Sequence, residues 1–166
     1  MDIKPTGVLP EALLVDLPEV DAQYEEIFAR IELLKATCFE SDTVPFEACE
    51  ALLALLAHHF ATEERIAACA ELEFSKHTKT HRDTFQILSK ALDEVHKGVR
   101  NVHSFLRYVE FWFERHITQD DKPFAASLPA NLHLPSDPSR QATGHHQKAV
   151  GLTSPVGFEG GVAARV

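Results

Sequence analysis

The stretch PEVDAQYEEIFARIELLKATCF, residues 18–39, sets the architecture. Its apolar positions Val20, Tyr24, Ile27, Phe28, Ile31 and Leu34 fall at three- and four-residue intervals, so they line one face of an α-helix. The same period returns three more times along the chain. Ser41-Asp42-Thr43 followed by Pro45 reads as a stop and a fresh N-cap with an early proline. A second helix, rich in Ala and Leu, is expected from there to about Ala70. Residues 71–75 turn the chain, with Ser75 as the expected N-cap of a third helix. That helix runs to about Lys97 and is closed by Gly98. The fourth spans roughly Val102 to Phe124. Short connections between helices of this length make neighbours antiparallel. The expected fold is therefore an all-α, up-down-up-down four-helix bundle over residues 1–126.

From Ser127 onward the chain changes character. The last 40 residues hold five of the seven glycines and four of the nine prolines, with no sustained amphipathic repeat. Such a segment buries too little apolar surface to offset its ordering entropy, so residues 127–166 are expected to be a flexible tail. His145-His146 within it reads as an exposed polar pair.

Composition narrows the function. The 166 residues suffice for one domain with a sizeable core. A net charge of −9 argues against nucleic acid or an anionic membrane as partner. No apolar run approaches the roughly 20 residues of a bilayer-spanning helix, and residues 1–10 lack the apolar core of a secretion signal. The expected compartment is the cytoplasm. Cys38, Cys49 and Cys69 are odd in number and form no Cys-x-x-Cys pair, so they read as reduced, partly buried thiols. There is no internal repeat, Gly-rich phosphate loop or Gly-x-Ser-x-Gly elbow.

Three spaced motifs carry chemistry. On the second helix His59 and Glu63 are one turn apart, so imidazole and carboxylate share a face. His77 and His81 repeat that spacing on the third. On the fourth, Asp121 follows His116 by five residues. Each pair alone is weak, since His-x-x-x-Glu arises often by chance. Antiparallel packing changes this: the end of helix two, the start of helix three and the end of helix four meet at one end of a bundle. Imidazoles with bridging carboxylates are the donor set of a non-haem di-iron centre.

At these residues the chain resembles a bacteriohemerythrin, a member of the hemerythrin-like cation-binding family. The motifs are His59-Phe60-x-x-Glu63-Glu64, His77-x-x-x-His81 and Trp112-x-x-x-His116-Ile117-x-x-x-Asp121. An entry motif that is usually Asp-x-Gln-His stands here as Asp21-Ala22-Gln23-Tyr24. The resemblance spans roughly Val15 to Ala126. It implies two iron ions in an oxo- or hydroxo-bridged centre. His77, His81 and His116 would bind the first, His59 the second, and Glu63 and Asp121 would bridge them. The family's remaining histidine, on the second iron, falls at Tyr24.

The phenol changes the expected chemistry. As a ligand, Tyr24 is a hard anionic donor that favours ferric iron and works against reversible oxygen carriage. If instead it hydrogen-bonds beside the metal or only packs, the second iron gains an open or water-filled position. Phe113, three residues before His116, should border the oxygen site where the family usually has a smaller aliphatic. Ala67, one turn after Glu63, stands where a methionine is common. Trp112 and Phe111 read as core and interface packing, and His58, His96 and His103 as solvent-facing or locally satisfied. Three functions compete: binding of dioxygen for storage, delivery or sensing; a redox enzyme acting on peroxide, dioxygen or nitric oxide; and a regulatory module. The last ranks lowest because the tail holds no recognisable output domain. No motif points to a protein partner.

Overall fold

The computed structural model of the chain describes residues 9–41, 43–130 and 132. The expected tail, with His145-His146, lies outside the described residues except at 127–130 and 132. Helix α1 spans Pro18–Glu40, α2 Phe46–Cys69, α3 Ser75–His96 and α4 Val102–His116. A π-helical turn, Ile117–Asp121, joins α4 to α5, Lys122–Ser127, so the three pieces form one long fourth helix. A single 3-10 turn, Glu11–Leu13, precedes α1. No strand occurs among the described residues. The fold is an all-α four-helix bundle in which α1 packs on α2 and α4, and α3 on α2 and α4. No described helix is long and apolar enough to cross a membrane.

The core follows the periodicity. Val20, Tyr24, Ile27, Ile31 and Leu34 of α1 are buried against Leu52 and Leu56 of α2, Leu88 of α3 and Phe105, Leu106, Val109 and Phe113 of α4. Phe111 faces the other way and is 64% exposed, so it does not pack in the core as its sequence context suggested. All three cysteines are free. Cys38 and Cys49 are buried but Cys69 is exposed, which corrects the expectation for that thiol.

The helix ends differ from their sequence signatures in two places. Pro45 itself stands at the N-cap of α2, with no side-chain cap bond. Ser75 is the first helical residue of α3 rather than its cap; its N–H donates to the Glu73 carboxylate, 3.0 Å away, from outside the helix. Gly98 does close α3, at φ +71°. Asn101 caps α4 by accepting from the His103 and Ser104 N–H groups at 2.9 and 3.2 Å. Replacing it with alanine is expected to cost about 1 kcal/mol, read as a lower midpoint in urea unfolding with an unchanged slope.

The π-helical turn is the main departure from an uninterrupted fourth helix, and Pro123 explains it. Proline has no N–H to donate four residues back, and its ring crowds the carbonyl there, which belongs to Gln119. The ladder re-registers upstream, so that the Lys122 N–H reaches the Ile117 carbonyl, five residues back. Thr118 donates its hydroxyl to the Glu114 and Arg115 carbonyls at 3.1 and 2.9 Å. On a regular α-helix two residues five apart point about 140° away from each other. The wider turn brings His116 and Asp121 onto one face.

Candidate metal centre

The four helices converge on one buried cluster. Ligand atoms of Glu63, His77, His81, His116 and Asp121 all lie within 4.8 Å of one another. Glu63 comes from the second half of α2, His77 and His81 from the first turns of α3, His116 from the last residue of α4 and Asp121 from the π turn. The His116 Nε2 atom is 3.2 Å from His77 Nε2 and 3.1 Å from His81 Nε2. Three imidazole nitrogens aimed at one point leave little for each other, because a neutral ring offers either a proton or a lone pair there.

The carboxylates stand between this trio and a fourth histidine. Glu63 Oε2 is 3.4 Å from His77 Nε2, 3.3 Å from His81 Nε2 and 3.7 Å from His59 Nε2. Asp121 repeats the pattern: Oδ1 lies 3.2 Å from His77 Nε2 and 3.0 Å from His116 Nε2, and Oδ2 3.6 Å from His59 Nε2. Tyr24 donates its hydroxyl to the same Oδ2 at 2.8 Å. Its ring meets His59 and Phe113 edge-on, and Phe113 also packs on His59 and Phe28. Phe113 thus borders the His59 side of the cluster. Ala67 is buried one turn beyond Glu63.

Outer groups orient the rings. His116 donates from Nδ1 to Asp120 Oδ2 at 3.0 Å while Nε2 faces Asp121, so two consecutive aspartates hold one imidazole by its two nitrogens. His81 Nδ1 faces Glu64 Oε1 at 3.6 Å. Phe60 stacks on His81, Phe74 on His77 and Trp112 on His116, with ring centroids 4.1, 4.3 and 4.7 Å apart. Trp112 therefore packs on the site itself. Gln23 touches His59 Nδ1 at 3.3 Å. The roles of Asp120 and Gln23 were not assigned from sequence. Asp120 carried a usable signal, since it lies one turn after His116; Gln23 stood in the entry motif, but its action across two helices could not be read from spacing. His58 and His96 are exposed, His103 is half-buried, and none of them joins the cluster.

The chemistry of these buried atoms fits a cation. His59 Nε2, His81 Nδ1, both Glu63 oxygens and Asp121 Oδ1 have no hydrogen-bond partner among the described residues. Such groups cost free energy when left unpaired in an interior, and a positive ion satisfies all the inward-facing ones together. Proton affinities tell the same story. Burial, with the Asp121 charge beside it, raises the Glu63 pKa well above the ordinary carboxylate value. Burial acts the same way on Asp121, but the imidazoles gathered around it, His116 foremost, outweigh it and hold that carboxyl below its ordinary value. Burial depresses His59, and with His77 and His116 nearby pushes His81 down to about 2. It also opposes the His116 imidazolium, yet Asp121 and Asp120 win and raise that pKa. Tyr24 is raised by burial and by the Asp121 and Glu63 charges.

With Glu63 and His116 both shifted towards their protonated forms, an entering cation competes with protons at both groups. Protons and metal compete for the same atoms, so affinity rises with pH through the neutral range. Adding zinc to the metal-free chain in weak buffer is expected to release protons, read with a pH indicator; no release would count against the competition.

The fold and this cluster define a helical bundle with a buried histidine–carboxylate group that can hold a metal ion. Compared with known proteins, the chain matches no family model, no curated protein and no solved structure.

Proposed function

We propose that the chain is a hemerythrin-like non-haem di-iron protein that binds dioxygen for storage, delivery or sensing, with Tyr24 in place of a histidine ligand. The observation that carries this reading is the position of the two carboxylates. Asp121 turns Oδ2 to His59 and Oδ1 to His77 and His116, and Glu63 Oε2 lies near His59, His77 and His81 alike, so both carboxylates reach both sets of imidazoles, as bridges between two cations would. Nitrogen with carboxylate donors suits iron among the common metals. Two iron ions held by these residues would supply the electrons that dioxygen accepts on binding. The chain's own residues do the rest. The imidazoles offer lone pairs, Glu63 and Asp121 balance charge, and Phe113 with Phe28 keeps the His59 side dry. The working compartment under this reading is the cytosol, where exposed thiols such as Cys69 stay reduced.

A second reading, a redox enzyme acting on peroxide, dioxygen or nitric oxide, is favoured by one observation. The Tyr24 hydroxyl is a buried proton donor held at Asp121 Oδ2, on the same side as His59. A proton at that place assists the reduction of an oxygen ligand rather than its reversible release. Anaerobic reduction of the iron-loaded protein followed by air separates the two. A stable, reversible spectral change is the result expected for a dioxygen binder. Rapid conversion to a ferric spectrum with peroxide turnover would replace that reading with the enzyme.

A further inference from the structure

We propose that Gln23 is a positioning residue that selects the tautomer of His59 and so aims a lone pair, not a proton, at the two carboxylates. Three hydrogen bonds fix the proton positions, one within α2 and two between α1 and α2. Thr62 donates its hydroxyl to the His58 carbonyl at 3.1 Å, the usual back-bond of a helical threonine. With its only proton spent there, Thr62 Oγ1 can only accept. Its partner is the Gln23 side chain, 2.8 Å away, which must therefore present its NH2 group to Thr62. The other end of the same amide is then the carbonyl oxygen. It has no proton to give, and it lies 3.3 Å from His59 Nδ1. His59 must be the donor. A neutral ring that is protonated at Nδ1 is bare at Nε2, the atom 3.7 Å from Glu63 Oε2 and 3.6 Å from Asp121 Oδ2.

Each member of this chain is buried: Gln23 is 8% exposed, Thr62 3% and His59 0%. Water has little opportunity to substitute for a lost partner, so the polarity set by one backbone carbonyl is transmitted across two side chains to the imidazole. His77, His81 and His116 share no contact with Gln23 among those described, so its influence falls on the His59 side of the cluster alone. The metal consequence rests on the di-iron reading above: a ligand held in the wrong tautomer must be re-protonated before it binds, and groups that orient a ligand typically account for about 10- to 100-fold in affinity.

The test uses the full-length, metal-free chain labelled with nitrogen-15, with the His59 ring followed in long-range proton–nitrogen spectra. Wild type is expected to show a proton on Nδ1. Gln23→Leu should shift the ring to the Nε2–H form or to a mixture. Thr62→Val, which frees the Gln23 amide to turn over, should do so in part, and Thr62→Ser should restore the wild-type pattern. A His59 ring protonated at Nε2 in wild type, or one unmoved by both Gln23→Leu and Thr62→Val, would overturn the proposal. Anaerobic titration with ferrous iron adds a second readout. In Gln23→Leu the weaker uptake step is expected to lose about 10- to 100-fold in affinity while the tighter one is unchanged; equal weakening of both steps would count against selective positioning. Wild type taking up fewer than two irons, with the tautomer behaving as expected, would sink the di-iron reading and leave the role of Gln23 standing.

Discussion

Under the di-iron proposal, replacing His77, His81 or His116 singly with alanine is expected to remove iron from the site, lowering affinity there by more than the roughly 100-fold ascribed to residues that merely orient a ligand. Each of the three contributes an Nε2 atom to one crowded point. His58, the spare imidazole beside His59, is exposed, and neighbouring residues on a helix point about 100° apart. The metal-free fold should survive these changes. The apolar core is built from all four helices and does not depend on any one of these rings. Elemental analysis with far-ultraviolet circular dichroism would check both halves. Full iron content in all three variants would mean that the cluster is not the binding site. His58→Ala, by contrast, should leave iron content unchanged.

Tyr24→Phe carries the second large effect. Under the di-iron proposal the ferric protein is expected to show a visible charge-transfer band from a coordinated phenolate, which imidazole and carboxylate ligands do not give. The variant should lose that band while keeping its iron, because Glu63, Asp121 and His59 still hold the second position. In the metal-free chain the phenol keeps its proton, since burial and two nearby carboxylates raise its pKa and Asp121 Oδ2 accepts its hydrogen bond at 2.8 Å. Only a cation reverses that balance, by lowering the affinity of a bound oxygen for its proton. The lost hydrogen bond to a charged acceptor should cost the metal-free variant about 1.5–3 kcal/mol. Tyr24→His is expected to slow autoxidation, since a neutral donor no longer favours the ferric state. Identical ferric spectra for wild type and Tyr24→Phe would mean that the phenol remains a hydrogen-bond donor to Asp121 and never binds the metal.

The bundle was readable from residue spacing because the forces that build it are local and periodic. The run from Val20 to Leu34 identified a helix face, and Gly98 marked an end that its φ of +71° requires. Convergence of His59, His77, His81 and His116 on one end also followed, since it depends only on helix order and direction. Finer features did not. The i,i+5 spacing of His116 and Asp121, with Pro123 just beyond, contained the π turn in principle. Read as a continuous helix, however, it leaves the aspartate on the wrong face. Ser75 looked like a cap because serine usually is one; here Glu73 reaches its N–H first. Gln23 was visible in the sequence, but its role depends on Thr62, 39 residues away on another helix.

The double hold on His116 bears on how fast a metal can be captured. An imidazole with one free edge swivels about its side-chain bonds and must be caught in the right pose. Here Asp120 grips the outer nitrogen and Asp121 faces the inner one, each at 3.0 Å, with Trp112 stacked against the ring face. Rotation in either direction breaks an ionic contact or strikes the indole. The ring is thus immobilised before any ion arrives, and little of the binding free energy is lost to freezing it. His77, half-buried and without a described carboxylate at its outer nitrogen, is the looser member of the trio. An arriving ion would meet a fixed jaw in His116 and a movable one in His77.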